Sequence, residues 1–492
     1  MTDTAPSATP ERRPLALLSG PLVASVVLAL PAPAGLPVEG WHTAAVALWM
    51  AAWWITEAVP IPVTALLPLV LFPGLGVLSM ADAAAPYANE VIFLFMGGFF
   101  LAAAMESCGL HRRVALGIIR KVGLGPERLV LGFMLATAFL SMWISNTATA
   151  AMMLPIGVAV VELFRGDSPR EGFPLGMALM LGIAYGASIG GVATLIGTPP
   201  NAIFAAASSE LLQVDIGFGQ WMLLGVPVTL VMIPLTWLLL VKVLFRPGAL
   251  GGDAARILEE EIRSLGPAST AERRVAVVFV VTALAWILRA PKTLGDVVIP
   301  GLQTWAPELR DSTIAMAASL VLFVLTRGGG SRAPLLTWRQ ARAIPWGVLI
   351  LFGGGLSLAR AMERSGLSEW IGSSVAGLES LSPLLIFGVL ALLFVFLTEL
   401  TSNAATTTMA MPVLVGAAAA MGAPAIPLMI VATLSSSMAF MLPVATPPNA
   451  IVFGSDYLTI PQMARAGFLL NLLAVAVVTG AAVLLLPLVF PG

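Results

Sequence analysis

Two short stretches decide how this chain is read: Gly197-Thr198-Pro199-Pro200-Asn201-Ala202-Ile203 and Ala445-Thr446-Pro447-Pro448-Asn449-Ala450-Ile451. Each sits inside a long apolar run, where a proline pair removes backbone donors and breaks the helix before it. Thr followed by Pro is also helix-start chemistry, a capping hydroxyl and then a residue with φ already set for the first turn. Each stretch therefore ends one half-helix and begins another. The copies lie 248 residues apart, and further pairs fall in the same order around them. Ser145-Asn146-Thr147-Ala148-Thr149 recurs as Ser402-Asn403-Ala404-Ala405-Thr406, and Met105-Glu106-Ser107-Cys108-Gly109-Leu110 as Met362-Glu363-Arg364-Ser365-Gly366-Leu367, both at an offset of 257. Phe95-Met96-Gly97-Gly98 and Phe352-Gly353-Gly354-Gly355 keep that offset, as do Pro155 and Pro412. The matched residues are mostly the rare polar ones, so the pattern is an internal repeat.

Composition sets the surroundings. Of 492 residues, 58% are hydrophobic and only 10% charged, with a formal net charge of -1. A soluble domain carries about 25% charged residues, so a water-facing surface is excluded, and the apolar content excludes disorder. One cysteine, Cys108, rules out an intrachain disulfide framework and a multi-thiolate metal site. Without a basic excess, nucleic acid is not expected as a partner. Continuous apolar runs argue for helices over barrel strands.

A spanning helix needs roughly 20 apolar residues. The pattern predicts eleven spans, at about 15–37, 40–57, 59–78, 89–108, 174–207, 219–246, 272–290, 311–327, 345–363, 424–454 and 464–490. Two more apolar stretches, 128–163 and 382–420, carry a polar break at the middle, so each is either two full spans or one re-entrant hairpin. With Arg12 and Arg13 in the cytoplasm and both stretches re-entrant, 20 of the 25 Lys and Arg fall on the cytoplasmic side. Leu30-Pro31-Ala32-Pro33-Ala34 contains the small-x-small pattern of a leader cleavage site, while the long run before it favours a retained span. Residues 247–271 hold Arg256, Glu259, Glu260, Glu261 and Arg263 and read as a cytoplasmic linker helix between two halves. In this topology one broken stretch enters from each side, so the repeats are inverted. Inverted repeats with paired interruptions are the pattern of secondary transporters, and they favour the hairpin reading.

The breaks also state a chemistry. Each new helix N-terminus carries about half a positive charge and N–H groups suited to an anion. Each half-helix that ends leaves bare carbonyls which, with Ser, Thr and Asn oxygens, suit a hard cation such as sodium. The constellation fits an anion and a small cation held together. No Lys or Arg occurs in any of the four motifs, and a buried dianion without counter-charge is costly; co-bound sodium is the natural compensation. Among acidic residues in the spans, Glu399 lies three positions before Ser402 and bears on a cation site or makes a structural hydrogen bond. Glu57, Glu106 and Glu363 read as structural or interfacial.

On these residues the chain resembles the divalent anion–sodium symporter family, the INDY-type di- and tricarboxylate carriers. The resemblance runs over about 40–490 and includes Thr56-Glu57-Ala58-Val59-Pro60, both Ser-Asn motifs and both Thr-Pro-Pro-Asn motifs. It implies an all-α membrane protein of eleven transmembrane helices plus two re-entrant hairpins, in a homodimer. Residues 1–127 and 272–381 would form a scaffold. Residues 128–246 and 382–492 would form a transport unit that moves like an elevator. By resemblance, Ser141, Ser145, Asn146 and Gly197 frame one sodium, and Thr398, Thr401, Asn403 and Ala445 another. Asn146, Thr147, Thr198, Pro199, Asn403, Thr406, Thr446 and Pro447 form the substrate-binding set. Ala404 departs from the Ser-Asn-Thr form of many members and removes one hydroxyl; Thr406 keeps one nearby.

The expected function is sodium-coupled symport of C4-dicarboxylates such as succinate, malate or fumarate, in a bacterial plasma membrane with the N-terminus cytoplasmic. Sodium is the co-transported ion, and no organic cofactor is expected. Sulfate or citrate transport, proton coupling and anion exchange remain open at this stage; an exchanger would sooner place a fixed cation at the site. An intramembrane enzyme is disfavoured, because serine hydrolysis needs a base beside the nucleophile and His42 and His111 lie near membrane boundaries, outside the broken segments. A channel is a distant alternative.

Overall fold

The computed structural model describes residues 14–123, 125–166, 168–248, 254–294, 297–374 and 381–490. Arg12 and Arg13, which contribute to the predicted orientation, and residues 249–253 of the predicted linker lie outside the described residues. The described chain is helical apart from two small antiparallel hairpins, Lys292–Leu294 with Val297–Ile299 and Thr326–Gly328 with Ser331–Pro334.

The repeat is visible as geometry. Helix Glu90–Cys108 turns at Gly109 into Leu110–Val122, and helix Trp346–Arg364 turns at Gly366 into Leu367–Ser373. Both corner glycines are left-handed, with φ of 80° and 73°, a conformation open to glycine and strained for most other residues. Each half continues into a helical hairpin, Pro126–Ser141 with Asn146–Arg165 and Pro383–Leu397 with Asn403–Ala420. Each hairpin is followed by a broken pair, Pro174–Gly191 with Pro199–Leu212 and Ala425–Ser436 with Pro447–Phe453. Long helices close the halves, Phe218–Leu238 and Ile460–Leu484. The first of these runs on as a π-helix through Leu244.

Among the described residues, five helices are by length and composition able to cross a bilayer: Met80–Cys108, Asn146–Arg165, Pro174–Gly191, Phe218–Leu244 and Ile460–Leu484. The first arms of the hairpins have 16 and 15 residues. They are about 24 and 22 Å long, short of the ~30 Å hydrocarbon core. The stretch 59–78, read from sequence as one span, is two short helices, Ile61–Thr64 and Leu67–Gly74. Pro68, at the start of the second helix, has no N–H to continue the first and accounts for the interruption. Within the predicted linker, the helix is Ala254–Ser264. It is tied down by the Arg112–Glu261 ion pair. Beyond it Arg113 pairs with Glu272 at 2.7 Å and donates to the carbonyls of Gly266 and Leu265.

Helix Pro174–Gly191 forms the centre of the molecule and is buried along almost its whole length. Gly182, Gly186 and Gly190 lie along the face against the first hairpin, and a Cβ at Gly190 would sit 2.3 Å from the Ala138 carbonyl. Small residues four apart let two backbones meet where lipid supplies no hydrophobic drive between helices. The repeats interlock there: Tyr185 donates to the Phe440 carbonyl at 3.0 Å, and Tyr457 donates to Glu162 at 2.7 Å.

Candidate functional site: two oxygen clusters at the hairpin tips

The two hairpin tips are built alike. In the first, Ser145 caps Asn146–Arg165, its hydroxyl accepting from the Ala148 N–H at 3.2 Å. Ser141 Oγ lies 2.5 Å from Asn146 Oδ1 and 2.8 Å from the Ala187 carbonyl. In the second, Thr398 stands where Ser141 stands: Oγ1 is 2.7 Å from Asn403 Oδ1 and 2.9 Å from the Ser436 carbonyl. In the second tip one hydroxyl proton serves one of two acceptors, so that cluster holds more oxygens than protons. Asn146 reaches the first cluster in either amide orientation. With its nitrogen turned inward it donates to Ser141 Oγ at 2.5 Å, Gly197 O at 3.2 Å and Ala187 O at 3.3 Å. The position suits a positive group, and the donor set of hydroxyl, amide and carbonyl oxygens is that of a hard cation. Among the described residues no group of three or more His, Cys, Asp or Glu side chains forms an alternative metal cluster.

The sequence motifs missed the Ala187 and Ser436 carbonyls, because a backbone oxygen has no residue signature. Gly197 is as tight as its place implies, with a Cβ there only 2.3 Å from the Gly191 carbonyl. Its counterpart Ala445 is buried and carries a methyl group. Thr401 is not joined to the Thr398–Asn403 pair; its hydroxyl bonds to the Leu397 carbonyl at 2.9 Å and to Thr406 at 2.5 Å. Ser402 caps the second arm without a side-chain hydrogen bond.

The asparagines of the Thr-Pro-Pro-Asn motifs do a separate job. Asn201 Nδ2 donates to the carbonyls of Gly191 and Val192, both at 3.2 Å, and Thr194 at 2.7 Å. Asn449 Nδ2 donates to Ala439 at 3.3 Å and Leu442 at 3.0 Å. Both side chains are fully buried. They staple the unwound segments that bare carbonyls would otherwise destabilise.

For an anion the four helix starts are unequal. Two prolines remove two N–H donors at Pro199 and again at Pro447. The Asn201 N–H bonds to the Thr198 carbonyl and the Asn449 N–H to Thr446 Oγ1, at 3.2 and 3.3 Å. Helix Pro447–Phe453 is only seven residues long, so its dipole is weaker than a long helix would give. The equal four-fold contribution expected from sequence is thus corrected: arms Asn146–Arg165 and Asn403–Ala420 are the stronger N-termini. Around them Thr147 and Pro447 are exposed and Pro199 is partly exposed, while Thr198, Thr406 and Thr446 are buried.

Glu399 resolves into a defined role. Its carboxylate accepts from the N–H groups of Phe440, Met441 and Leu442 at 2.7, 2.9 and 3.2 Å, and from Asn471 Nδ2 at 2.8 Å. Three consecutive N–H groups aimed at one point form an anion-binding nest, filled here by the chain's own carboxylate. Glu57 is the left-handed C-cap of Val38–Thr56. Glu106 and His111, read from sequence as remote from the breaks, line a cavity of about 190 Å³ with Ile144, Ala148 and Thr149 of the first tip. Folding the Gly109 corner back against the hairpin brings them there. Burial holds the His111 imidazole below its usual range.

Comparison with known proteins agrees with this architecture. The chain matches the family described as "Sodium:sulfate symporter transmembrane region" over residues 13–490. It is 41% identical over 483 residues to a Staphylococcus saprophyticus protein named sodium-dependent dicarboxylate transporter SdcS, covering 96% of this chain and 91% of that one. It is 40% identical over 486 residues to the protein of the same name from Staphylococcus aureus, with the same coverage. Among solved structures, the YdaH transporter of Alcanivorax borkumensis shares the fold, with a TM-score of 0.57, 16% identity and coverage of 97% and 98% of the two chains. With the match running nearly end to end, the chain belongs to the sodium:sulfate symporter family of transmembrane proteins.

Proposed function

We propose that the protein is a sodium-coupled symporter of divalent anions, with C4-dicarboxylates such as succinate, malate and fumarate as its substrates. The observation that carries this reading is the pair of oxygen clusters, Ser141–Asn146–Ala187 and Thr398–Asn403–Ser436, at equivalent places in inverted halves. Each binds one sodium beside a hairpin N-terminus. The substrate carboxylates lie between Asn146, Thr147, Thr198 and Pro199 on one side and Asn403, Thr406, Thr446 and Pro447 on the other. Sodium supplies the positive charge that the Lys- and Arg-free motifs lack. The names of the staphylococcal relatives support the dicarboxylate class.

In this reading residues 128–246 and 382–492 move as a transport unit against a scaffold of 1–127 and 272–381, in a homodimer whose N-termini are cytoplasmic. The site faces the cytoplasm. In support, the Glu106–His111 cavity lies at the end that carries the Arg112–Glu261 and Arg113–Glu272 pairs. Arg360 of helix Trp346–Arg364 clasps Glu210 of half-helix Pro199–Leu212, with a 2.6 Å bond from Nε, at the other end. A substrate panel in proteoliposomes under a sodium gradient tests the assignment. Succinate, malate and fumarate should compete with labelled succinate at lower concentrations than citrate or sulfate. Preferential competition by sulfate would replace the dicarboxylate reading.

A further inference from the structure

Helix Pro174–Gly191 ends in the middle of the molecule, where its last carbonyls lose their regular helical partners and the Val192 and Ala193 N–H groups turn back to Ile189 and Gly190. One face of helix Phe218–Leu238 meets them. Trp221 Nε1 donates to the Val192 carbonyl at 2.9 Å, and Thr229 Oγ1 donates to the Ile189 carbonyl at 3.0 Å. Between them a Cβ at Gly225 would stand 2.5 Å from the Val192 carbonyl and 2.9 Å from that of Ala193, so only glycine allows this approach. Positions 221, 225 and 229 are four apart and share one helix face. Trp221 is wholly buried and Thr229 nearly so.

We infer that Trp221, Gly225 and Thr229 are positioning residues for the first cation cluster. They act by holding the unwound segment in place. Trp221 and Thr229 engage the carbonyls of Val192 and Ile189, and Asn201 engages those of Gly191, Val192 and Thr194. With its nitrogen turned inward, the Asn146 amide reaches the Ala187 carbonyl in the helix before the break and the Gly197 carbonyl after it. A donor lost from the stripe leaves the Val192 carbonyl to Asn201 alone, or the Ile189 carbonyl to the Val192 N–H alone. Either loss loosens the unwound segment that carries the Gly197 carbonyl to Asn146. The inference rests on the reading of the cluster as a sodium site.

The test is a sodium titration at constant ionic strength, with choline as the replacement. It is read as the unfolding midpoint of purified protein in detergent and as succinate uptake in proteoliposomes. A cation that binds only the folded protein raises the midpoint with its concentration. Trp221→Phe keeps an aromatic ring without the N–H, and Thr229→Val keeps the shape without the hydroxyl. Each should raise the sodium half-saturation about tenfold, the effect of losing one hydrogen bond's worth of site geometry. The succinate KM at saturating sodium should stay within about twofold, and Thr229→Ser should restore the sodium response. Unchanged sodium half-saturation in both variants, with the midpoint lowered equally at every sodium concentration, overturns the stripe and leaves the cation site standing. A wild-type midpoint that ignores sodium overturns the cation site and the stripe with it. Should Trp221→Phe fail to fold, Thr229→Val decides alone.

Discussion

The two breaks share one brace, the asparagine of each Thr-Pro-Pro-Asn motif capping carbonyls, and differ in a second that holds opposite ends of the peptide group. At the first, neutral donors from Trp221, Thr229 and Asn201 cap carbonyls left by the ending helix. At the second, the Glu399 carboxylate gathers three backbone N–H groups and is itself held by Asn471. The 257-residue offset puts Met142 in the place of Glu399, and Met142 offers its own carbonyl to Thr194. The inverted repeat thus reproduces the oxygen cluster at each tip and the asparagine staple, but not the rest of the bracing behind them. Ligand geometry repeats because the same motif makes it. Bracing differs because each unwound segment needs only that its own unpaired groups be met, by whichever helix is adjacent.

The largest effect should come from the part the halves share. Asn146→Ala and Asn403→Ala should each lower sodium-driven succinate uptake by about a hundredfold or more, with the protein still eluting as a folded species in size-exclusion chromatography. Near-normal uptake in either variant removes that residue from the site.

Next comes the part that differs. Glu399→Ala leaves three N–H groups and one amide without an acceptor in a buried place, at a cost of about 3 kcal/mol or more. Its unfolding midpoint should drop well below that of the wild type at every sodium concentration, and Glu399→Gln should fall between the two. The converse change sharpens the comparison. In the first break the N–H groups of Val192, Ala193 and Gly197 already bond within the segment, to Ile189, Gly190 and Thr194. Met142→Glu therefore finds no nest there and should destabilise the protein. A stable, active Met142→Glu variant would show that the bracing is interchangeable.

Smaller effects test the clusters one atom at a time. Ser141→Ala and Thr398→Val each remove one hydroxyl oxygen and should raise the sodium half-saturation about tenfold in uptake assays. Equal sodium dependence in wild type and variant would take that oxygen out of the cation site. The smallest change is expected from Ala404→Thr. It restores the hydroxyl of the Ser-Asn-Thr form and should shift the relative KM of succinate and citrate by only a few-fold, because Thr406 already supplies a buried hydroxyl nearby.

Much of this was legible in the chain. Paired Ser-Asn and Thr-Pro-Pro-Asn motifs stand out because polar residues and proline pairs are rare in apolar runs, and their fixed offsets located both hairpins and both broken helices. The Gly109 and Gly366 corners lie in the paired Met105–Leu110 and Met362–Leu367 stretches, which the repeat marked as equivalent without showing that the chain turns there. What stayed hidden depends on atoms or approaches without a residue code. The Ala187 and Ser436 carbonyls are backbone. Trp221 and Asn471 reach the breaks from helices later in the chain, and their partners are set by packing. Glu399 stood out as an acid near Ser402, but its nest required residues 440–442 to fold back over it. Glu106 and His111 read as interfacial because their distance from the hairpin tip along the chain conceals the cavity they share with Thr149.

The central claim is that sodium completes the anion site. The most direct measurement is uptake of labelled succinate into proteoliposomes with external sodium, compared with equimolar choline or potassium. Saturable uptake in sodium and background uptake in the other two is the predicted result. Equal uptake in all three salts would contradict sodium coupling.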